Sequence, residues 1–443
     1  MTTNMTKGKI VPQLVGFTIP LVLGNLFQLT YNAADSVIVG QVLGEDALAA
    51  VGSAGMIMNL VILFISGMCM GAGILMSTQY GAGSKDNLER QNSTTLIGGL
   101  IFSLAISVVM MGLARYLLIW TNVPAQILDS GTTYLRIVFA GLVFTFVYNF
   151  FSNTLRALGD SKSPLLFLIV SAILNVGGDL LFVAGFGWGV AGSAIATVLS
   201  QGLCCLCCVW YIRRVPALQL GSRWKVFDRT ILWRTFSFGI TSALQMMCIQ
   251  LGKLIVQSII NVRGVSFMAA YTAVNRVDDF ALTPQQNIAH AATTFMAQNK
   301  GAGQKKRFLQ GFGWAVVIQM IYTAVVGMAV FSFPSQIMSV FVGNDAKEVI
   351  HLGSSYLHLI GLLYFVSGTT HILQGFFRGT GDLKVTLVST IANMTTRVLT
   401  AWYMLNVLGG GFDCLAWANL WGWVAMMILE VPLMIRMIRK KSF

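Results

Sequence analysis

The sequence predicts an all-α membrane protein with about 12 transmembrane helices, arranged as two pseudo-symmetric bundles of six. Of its 443 residues, 56% are hydrophobic and only 10% are charged, whereas soluble domains carry roughly 25% charged residues. The apolar residues form long continuous runs, for example residues 138–151 and 165–176. Strands of a membrane barrel would instead alternate apolar and polar residues. Several motifs also recur at nearly constant spacing, which indicates duplication.

A membrane span needs about 20 mainly apolar residues. The runs that satisfy this length predict spans near residues 11–40, 47–79, 92–120, 127–154, 163–186, 190–212, 235–261, 266–298, 308–333, 347–376, 383–408 and 414–437. The early spans of each half exceed one bilayer crossing. We therefore expect them to tilt or to project beyond the membrane.

The basic residues lie in short clusters between the apolar runs. Most of the 29 Lys and Arg residues fall at one set of span ends, and only Arg115, Arg263 and Lys347 fall at the opposite ends. This asymmetry follows the positive-inside rule, so the net charge of +13 does not indicate a nucleic-acid partner. We expect a multi-pass protein of the cytoplasmic membrane, with both termini in the cytoplasm and no cleavable signal peptide.

Two motifs occur twice. Arg156-Ala-Leu-Gly-Asp160 recurs in the second half as Arg378-Gly-Thr-Gly-Asp382, and Gly81-Ala-Gly83 recurs at nearly the same spacing as Gly301-Ala-Gly303. We predict an N-lobe at 1–212, a basic cytoplasmic linker at 213–234 and a C-lobe at 235–443. Because each lobe has an even number of spans, the copies are parallel, and such paired bundles commonly bind cargo near the middle of the bilayer.

Oxygen-bearing side chains lie within spans of the first half. Asp35 is in span 1, Asn175 and Asp179 share one face of span 5, and Thr197 is in span 6. Ionisable groups inside a membrane are functional candidates because their burial is costly. These four residues could bind Na⁺, or the two carboxylates could hold a proton. The alternative is two acids near helix ends that are hydrated or bonded to the backbone.

The second half departs from the repeat at these positions. Arg397 occupies the position equivalent to Asn175, and Lys253, Asp278 and Asp279 lie within nearby spans. We favour pairing among these charges over direct contact with cargo. The intramembrane acids without a basic neighbour are then expected in the first half alone. The chain has no Walker motif and no nucleophile–base constellation, so we expect neither ATP hydrolysis, nor an enzyme, nor a cofactor.

Several motifs together resemble one known family. They include Tyr31-Asn32 with Asp35-Ser-Val-Ile-Val-Gly40, Gln79-Tyr-Gly-Ala-Gly83 and the doubled Arg-x-x-Gly-Asp. Over nearly its whole length the chain resembles multidrug and toxic compound extrusion (MATE) transporters of the clostridial bacterial type. The resemblance implies two lobes around a central cleft, and export of cationic amphiphilic compounds in exchange for Na⁺ or H⁺.

The resemblance also implies site residues. One branch of the family binds its coupling cation through helices 1, 5 and 6, at positions that match Asp35, Asn175, Asp179 and Thr197. Further candidate cavity residues are Tyr31, Asn32, Tyr134, Asn149, Lys253, Asp278, Asp279 and Arg397. The NorM-type branch also uses acids in helices 7 and 10. This chain has Gln250, Lys253, His371 and Gln374 there, which disfavours a second Na⁺ site in the C-lobe.

These observations predict a secondary active antiporter that works as a monomer by alternating access on a small cationic amphiphile. One alternative is a flippase or exporter of lipid-linked or anionic metabolites from the same superfamily, which Lys253, Arg276 and Arg397 would favour. A second alternative is a passive channel. The sequence does not choose between Na⁺ and H⁺ as the coupling ion.

Overall fold

The computed structural model describes residues 3–215, 227–343 and 346–440, without the side chains of residues 32–34 and 36. Within these ranges the regular structure is helical and no β-strand occurs. The predicted all-α class is therefore confirmed. Every predicted span coincides with a long helix or with two consecutive helical segments.

Fourteen α-helices are defined in the described ranges. They are α1 (Ile10–Leu43), α2 (Glu45–Gly81), α3 (Lys85–Trp120), α4 (Ala125–Ala140), α5 (Leu142–Ala157), α6 (Lys162–Asp179), α7 (Gly189–Ile212), α8 (Arg229–Asn261), α9 (Val265–Gly301), α10 (Lys305–Ser332), α11 (Pro334–Val342), α12 (Lys347–Thr380), α13 (Leu383–Asn406) and α14 (Cys414–Lys440). A six-residue π-helix, Leu180–Gly185, continues α6.

Most of these helices are suited to a bilayer. Among the described residues, nine helices are long and apolar enough to cross a membrane, and the bent pair α4–α5 raises the number to ten. The other two predicted spans correspond to α9 and α13, which carry more polar side chains. Helices α2 and α9 have 37 residues each and are about 55 Å long at 1.5 Å per residue. They exceed the roughly 30 Å hydrocarbon core, as the sequence predicted.

The chain forms two compact units. The first consists mainly of Ile19–Ala243, and the second of Met5–Thr18 together with Leu244–Phe443. Each unit has its own apolar core, which includes Phe139 and Phe150 in the first and Ile360 and Tyr364 in the second. The predicted boundaries at 212 and 235 remain a prediction, and residues 216–226 of the predicted linker lie outside the described residues.

The duplication is visible in the turns between helices. Gly83 and Gly303 have φ angles of 68° and 69°, and Gly159 and Gly381 have φ angles of 81° and 80°. Only glycine adopts these left-handed conformations without strain. The repeated Gly-Ala-Gly and Arg-x-x-Gly-Asp motifs therefore end equivalent helices with the same backbone geometry in both units.

The two units differ in where a helix is interrupted. In the first unit Gly141 separates α4 from α5 with a bend of 47°, whereas the equivalent α12 is continuous. In the second unit Pro334 separates α11 from α10, whereas the equivalent α3 is continuous. Proline removes a helical hydrogen bond and its ring clashes with the preceding turn. The bend at Gly141 was not predicted, because residues 137–144 around it form one continuous apolar run.

A close helix contact holds α10 against α12 in the second unit. A Cβ atom on Gly327 would lie 2.5 Å from the carbonyl oxygen of Gly361. Membrane helices approach this closely only through small residues. The glycines therefore set the spacing of this helix pair.

We predict that Gly327→Ala lowers the free energy of unfolding by about 1–3 kcal/mol, because overpacking forces the backbones apart. Gly313→Ala is the matched control in the same helix, where a Cβ atom would meet nothing within 4 Å. Thermal unfolding of the purified proteins measures both. Equal melting temperatures for the two variants would contradict the close packing.

The loop that joins α5 to α6 is fixed by Asp160, a buried residue of the first repeated motif. Its carboxylate accepts hydrogen bonds from the Ser163 amide at 3.0 Å, the Ser163 hydroxyl at 2.7 Å and the Tyr211 hydroxyl at 3.1 Å. Burial alone would raise the pKa of Asp160, but the hydrogen bonds to its carboxylate, first those from Ser163, help to hold the pKa below the ordinary value of 3.8.

We expect Asp160→Asn to destabilise the protein by about 1–2 kcal/mol at neutral pH, since charge-assisted bonds at a helix start are lost. A depressed pKa contributes stability above the ordinary value, and that stability is lost as the pH falls through the folded-state pKa. The difference between wild type and variant should therefore begin to shrink as the pH falls below about 4 and should go on shrinking towards the folded-state pKa. Asp382→Asn is the control, because Asp382 makes no side-chain cap bond to α13. Melting curves between pH 3 and pH 7 measure this difference, and a difference that is as large at pH 3 as at pH 7 would contradict this role.

Candidate functional site

Helices α1, α6 and α7 place the predicted oxygen-bearing residues of the first unit in one cluster. The Ser193 hydroxyl donates a hydrogen bond to Asp35 Oδ1 at 3.3 Å. The Asn175 amide donates to Thr197 Oγ1 at 3.2 Å. Asp179 follows Asn175 by one helical turn and is fully buried. The four residues predicted from the sequence are therefore neighbours, although their role as a coupling site remains a prediction.

Of the two acids in this cluster, Asp179 has fewer groups that offset the cost of burying its charge. Asp35 and Ser193 lie near the range of a hydrogen bond to Asp179, yet among the described residues no hydrogen bond of ordinary distance and angle reaches either Asp179 carboxylate oxygen. A buried carboxylate without partners carries a large desolvation cost. A bound proton or cation would remove that cost, so the cluster has the chemistry of a cation-binding site.

Glycines allow α6 and α7 to approach each other at this point. A Cβ atom on Gly178 would lie 2.9 Å from the Cβ atom of Ala196, and one on Gly192 would lie 3.0 Å from the carbonyl oxygen of Phe182. Phe182 belongs to the π-helix that begins directly after Asp179. Such widened turns often occur at functional sites. Sequence inspection did not predict this one.

The remaining candidates of the first unit differ in their relation to the cluster. Tyr134 is buried and, like Tyr31, lies within electrostatic range of Asp35. Asn149 makes other contacts, because its amide donates to the Thr145 carbonyl and its oxygen accepts from the Ser66 hydroxyl. Asn32 is part of α1, but its side chain lies outside the described residues.

The charged candidates of the second unit are largely paired. Lys253 Nζ lies 3.1 Å from Asp279 Oδ1. Asp278 is buried and accepts hydrogen bonds from the Tyr356 and Tyr364 hydroxyls at 2.7 and 2.6 Å. Arg397 is within electrostatic range of Asp278. These contacts compensate the acids locally, in contrast to Asp179.

Sequence reasoning missed two polar residues. Ser193 contacts Asp35, and it could have been found because it precedes Thr197 by one turn on the same face of α7. Glu430 is a fully buried acid in α14. The expectation that acids without a basic neighbour occur only in the first half had not considered Glu430, although this acid does interact electrostatically with Arg378. Glu430 was overlooked because a single acid hardly lowers the hydropathy of a 27-residue apolar helix.

The cysteine-rich run of α7 has a packing role. Cys204, Cys205 and Cys208 are buried, and all cysteines of the chain are free. The Cys204 thiol donates to the Phe167 carbonyl at 3.3 Å. In the described ranges no group of three or more His, Cys, Asp or Glu side chains is placed to hold a metal ion.

The family of the chain follows from its match to a sequence model. The model of the MatE family matches residues 20–181 and again residues 241–403. The chain belongs to the MatE family. Because the second match repeats the first at the spacing of the doubled motifs, the two matches also reproduce the internal repeat. Members of this family are membrane transporters, so this protein is a multi-pass transporter and not an enzyme.

Curated relatives match over most of their length. The chain is 29% identical to "Probable multidrug resistance protein YpnP" of Bacillus subtilis, over 92% of each chain. It is 28% identical to "Probable multidrug resistance protein YoeA" of the same organism, over 92% of this chain and 91% of the relative. These relatives support the family assignment over both units.

Solved structures share the fold of this MatE protein. A crystal structure described as MATE in the bent conformation superposes with a TM-score of 0.93 at 22% identity, covering 100% of this chain and 99% of the other. At that identity the likeness shows the fold alone. It confirms the predicted MATE-like helical architecture.

We predict that Gly178→Leu lowers the melting temperature of this MatE protein, because the added side chain pushes α6 away from Ala196 on α7. The adjacent Gly177→Leu is the matched control, since a Cβ atom there would meet nothing within 4 Å. Thermal unfolding in detergent measures both variants. A stable Gly178→Leu protein would contradict the close approach that assembles the cluster.

Proposed function

We propose that this protein is a secondary active antiporter, which exports cationic or amphiphilic drugs and toxic compounds in exchange for Na⁺ or H⁺ by alternating access. The coupling cation is proposed to bind at Asp35, Asn175, Asp179 and Thr197. The observation that carries this proposal is the buried Asp179 carboxylate, which has no hydrogen-bond partner among the described residues.

The chemistry of the cluster supports exchange of a cation. Two carboxylates held close together, of which Asp179 is fully buried, cannot both stay ionised at low cost. A proton shared by Asp35 and Asp179, or a Na⁺ ion among the oxygens of the cluster, relieves the repulsion. The Ser193 hydroxyl and the Asn175–Thr197 pair supply the neutral oxygens of such a site.

Coupling follows if cation and cargo compete for the same negative charge. Cation binding from outside neutralises Asp35 and Asp179, which removes the attraction for a cationic drug and favours its release. The emptied, anionic cluster then favours a cationic drug from the cytoplasm. An ion drives such a cycle only through its different affinities for the two states of the protein.

The relatives support the proposed class of cargo. Both Bacillus subtilis proteins are named as probable multidrug resistance proteins. We extend that function to this chain, together with a location in the cytoplasmic membrane, both termini in the cytoplasm and a monomeric state. The clusters of basic residues at one set of helix ends support the orientation.

The alternative of an anionic or lipid-linked cargo receives less support. It depends on cationic side chains that are available within the spans. Lys253 is paired with Asp279, and Arg397 faces the buried Asp278. A cation that is already compensated offers little net attraction to an anionic cargo.

We expect Asp35→Asn and Asp179→Asn each to lower cation-driven efflux of a cationic dye by about tenfold or more, because a coupling free energy of ordinary size is lost. Dye flux is measured in proteoliposomes with the Na⁺ gradient and the pH gradient imposed separately. The gradient that drives wild-type efflux identifies the coupling ion.

Asp129→Asn is the control for loss of an acid. Asp129 is an exposed residue that pairs with Arg115, and such surface pairs contribute little. Dye efflux by this variant should equal that of wild type. Ion-driven efflux that survives in Asp35→Asn and Asp179→Asn would refute the proposed coupling site.

A further inference from the structure

A second buried acid lies in a polar network of the second unit. Glu430 Oε1 accepts hydrogen bonds from the Gln374 amide at 2.5 Å and from the Ser389 hydroxyl at 2.7 Å. Both donors are buried. The network thus joins α12, α13 and α14 through one carboxylate oxygen.

The network extends to a half-buried cation, Arg378, through two glutamines. Arg378 Nη2 donates to Gln245 Oε1 at 3.1 Å, and Gln245 Nε2 donates in turn to Gln374 Oε1 at 2.5 Å. Every bond along this chain points from the guanidinium towards Glu430. Bonds oriented in this way polarise one another. Arg378 therefore stabilises negative charge on Glu430 without direct contact.

The second oxygen of Glu430 is not satisfied. Glu430 is fully buried, and its Oε2 atom has no hydrogen-bond partner among the described residues. Burying half of a carboxylate without donors is costly, and protonation of that oxygen removes the cost. The hydrogen bonds to Oε1 stabilise the ionised form of Glu430, whereas the lack of donors at Oε2 favours the protonated form.

The surrounding groups suit a proton better than a metal ion. The side chains that touch Glu430 act as donors, namely Gln374 and Ser389, whereas a hard metal cation needs several oxygen acceptors. From α12 the charged group that faces Glu430 is Arg378. From α8 and α13 the network contains the neutral Gln245 and Thr390.

The acid is absent from the first repeat. At the spacing that separates Arg156 from its counterpart Arg378, Glu430 corresponds to Cys208 and Gln374 to Ser152. Cys208 and Ser152 are buried as well. The second unit thus keeps the half-buried arginine of the repeat and adds a carboxyl group and an amide to the network that it joins.

We propose that Glu430 is a proton-binding site, which takes up and releases one proton at Oε2 while Oε1 stays bonded to Gln374 and Ser389. This site is separate from the Asp35–Asp179 cluster and does not depend on the function proposed for that cluster. Proton uptake by this protein then includes a residue of the second unit.

The test is infrared difference spectroscopy of the full-length protein in liposomes, recorded between acidic and neutral pH without cargo. Wild type should lose the C=O stretching band of a carboxylic acid as the pH rises. Glu430→Gln should lack that band, and titration of the protein should release one proton fewer per chain. Asp35→Asn and Asp179→Asn should keep the band, so failure of the coupling hypothesis would not affect this result.

Two further variants test the assignment of the infrared band to Glu430 without relying on Glu430→Gln alone. Ser389→Ala should move the band to higher frequency, because the C=O group loses a donor. Asp278→Asn should keep the band, since both oxygens of Asp278 are already bonded to tyrosines. Spectra of Glu430→Gln and Ser389→Ala that match wild type would overturn the proposal, and would indicate a carboxylate permanently ionised by Arg378.

Discussion

The cost of burying a charge among membrane-spanning helices governs the chemistry of this protein. Each buried or half-buried acid needs a compensating partner, and the acids differ in the partner they have. Asp278 is bonded to two tyrosines and Asp279 is paired with Lys253. Asp179 has no hydrogen-bond partner among the described residues, and Glu430 is satisfied on one oxygen only. We infer that acids without such compensation are the ones able to exchange a cation or a proton, so the difference in partners distinguishes the candidate functional acids from the others.

Glycines make the first of these arrangements possible. Gly178 and Gly192 bring α6 close to α7, so that Asn175 reaches Thr197 and Asp179 lies near Ser193. The π-helix that follows Asp179 widens the next turn at the same place. Close helix packing and a widened turn hold Asp179 in a position that an undistorted, separate helix would not provide.

Much of the fold could be predicted from the sequence, because long apolar runs and repeated motifs report directly on spans and duplication. The proximity of Asp35, Asn175, Asp179 and Thr197 was also predicted, since helical spacing and a family resemblance both indicated it. The bend at Gly141 and the π-helix at Leu180–Gly185 were not predicted, because each lies in a short apolar stretch with no proline or cluster of polar residues to mark a break. The network around Glu430 was not predicted for a different reason. It joins residues that are far apart along the chain, such as Gln245 and Gln374, and only tertiary packing brings them together.

The central claim is that cation movement through the Asp35–Asp179 cluster drives export of cargo. The most direct measurement records cation flux and cargo flux together in proteoliposomes, with cargo moving against its own concentration gradient. The account predicts a fixed ratio of cations entering to cargo leaving in wild type, and loss of both coupled fluxes in Asp179→Asn. Cargo that moves against its gradient with no opposing Na⁺ or H⁺ flux, or an unchanged ratio in Asp179→Asn, would contradict it.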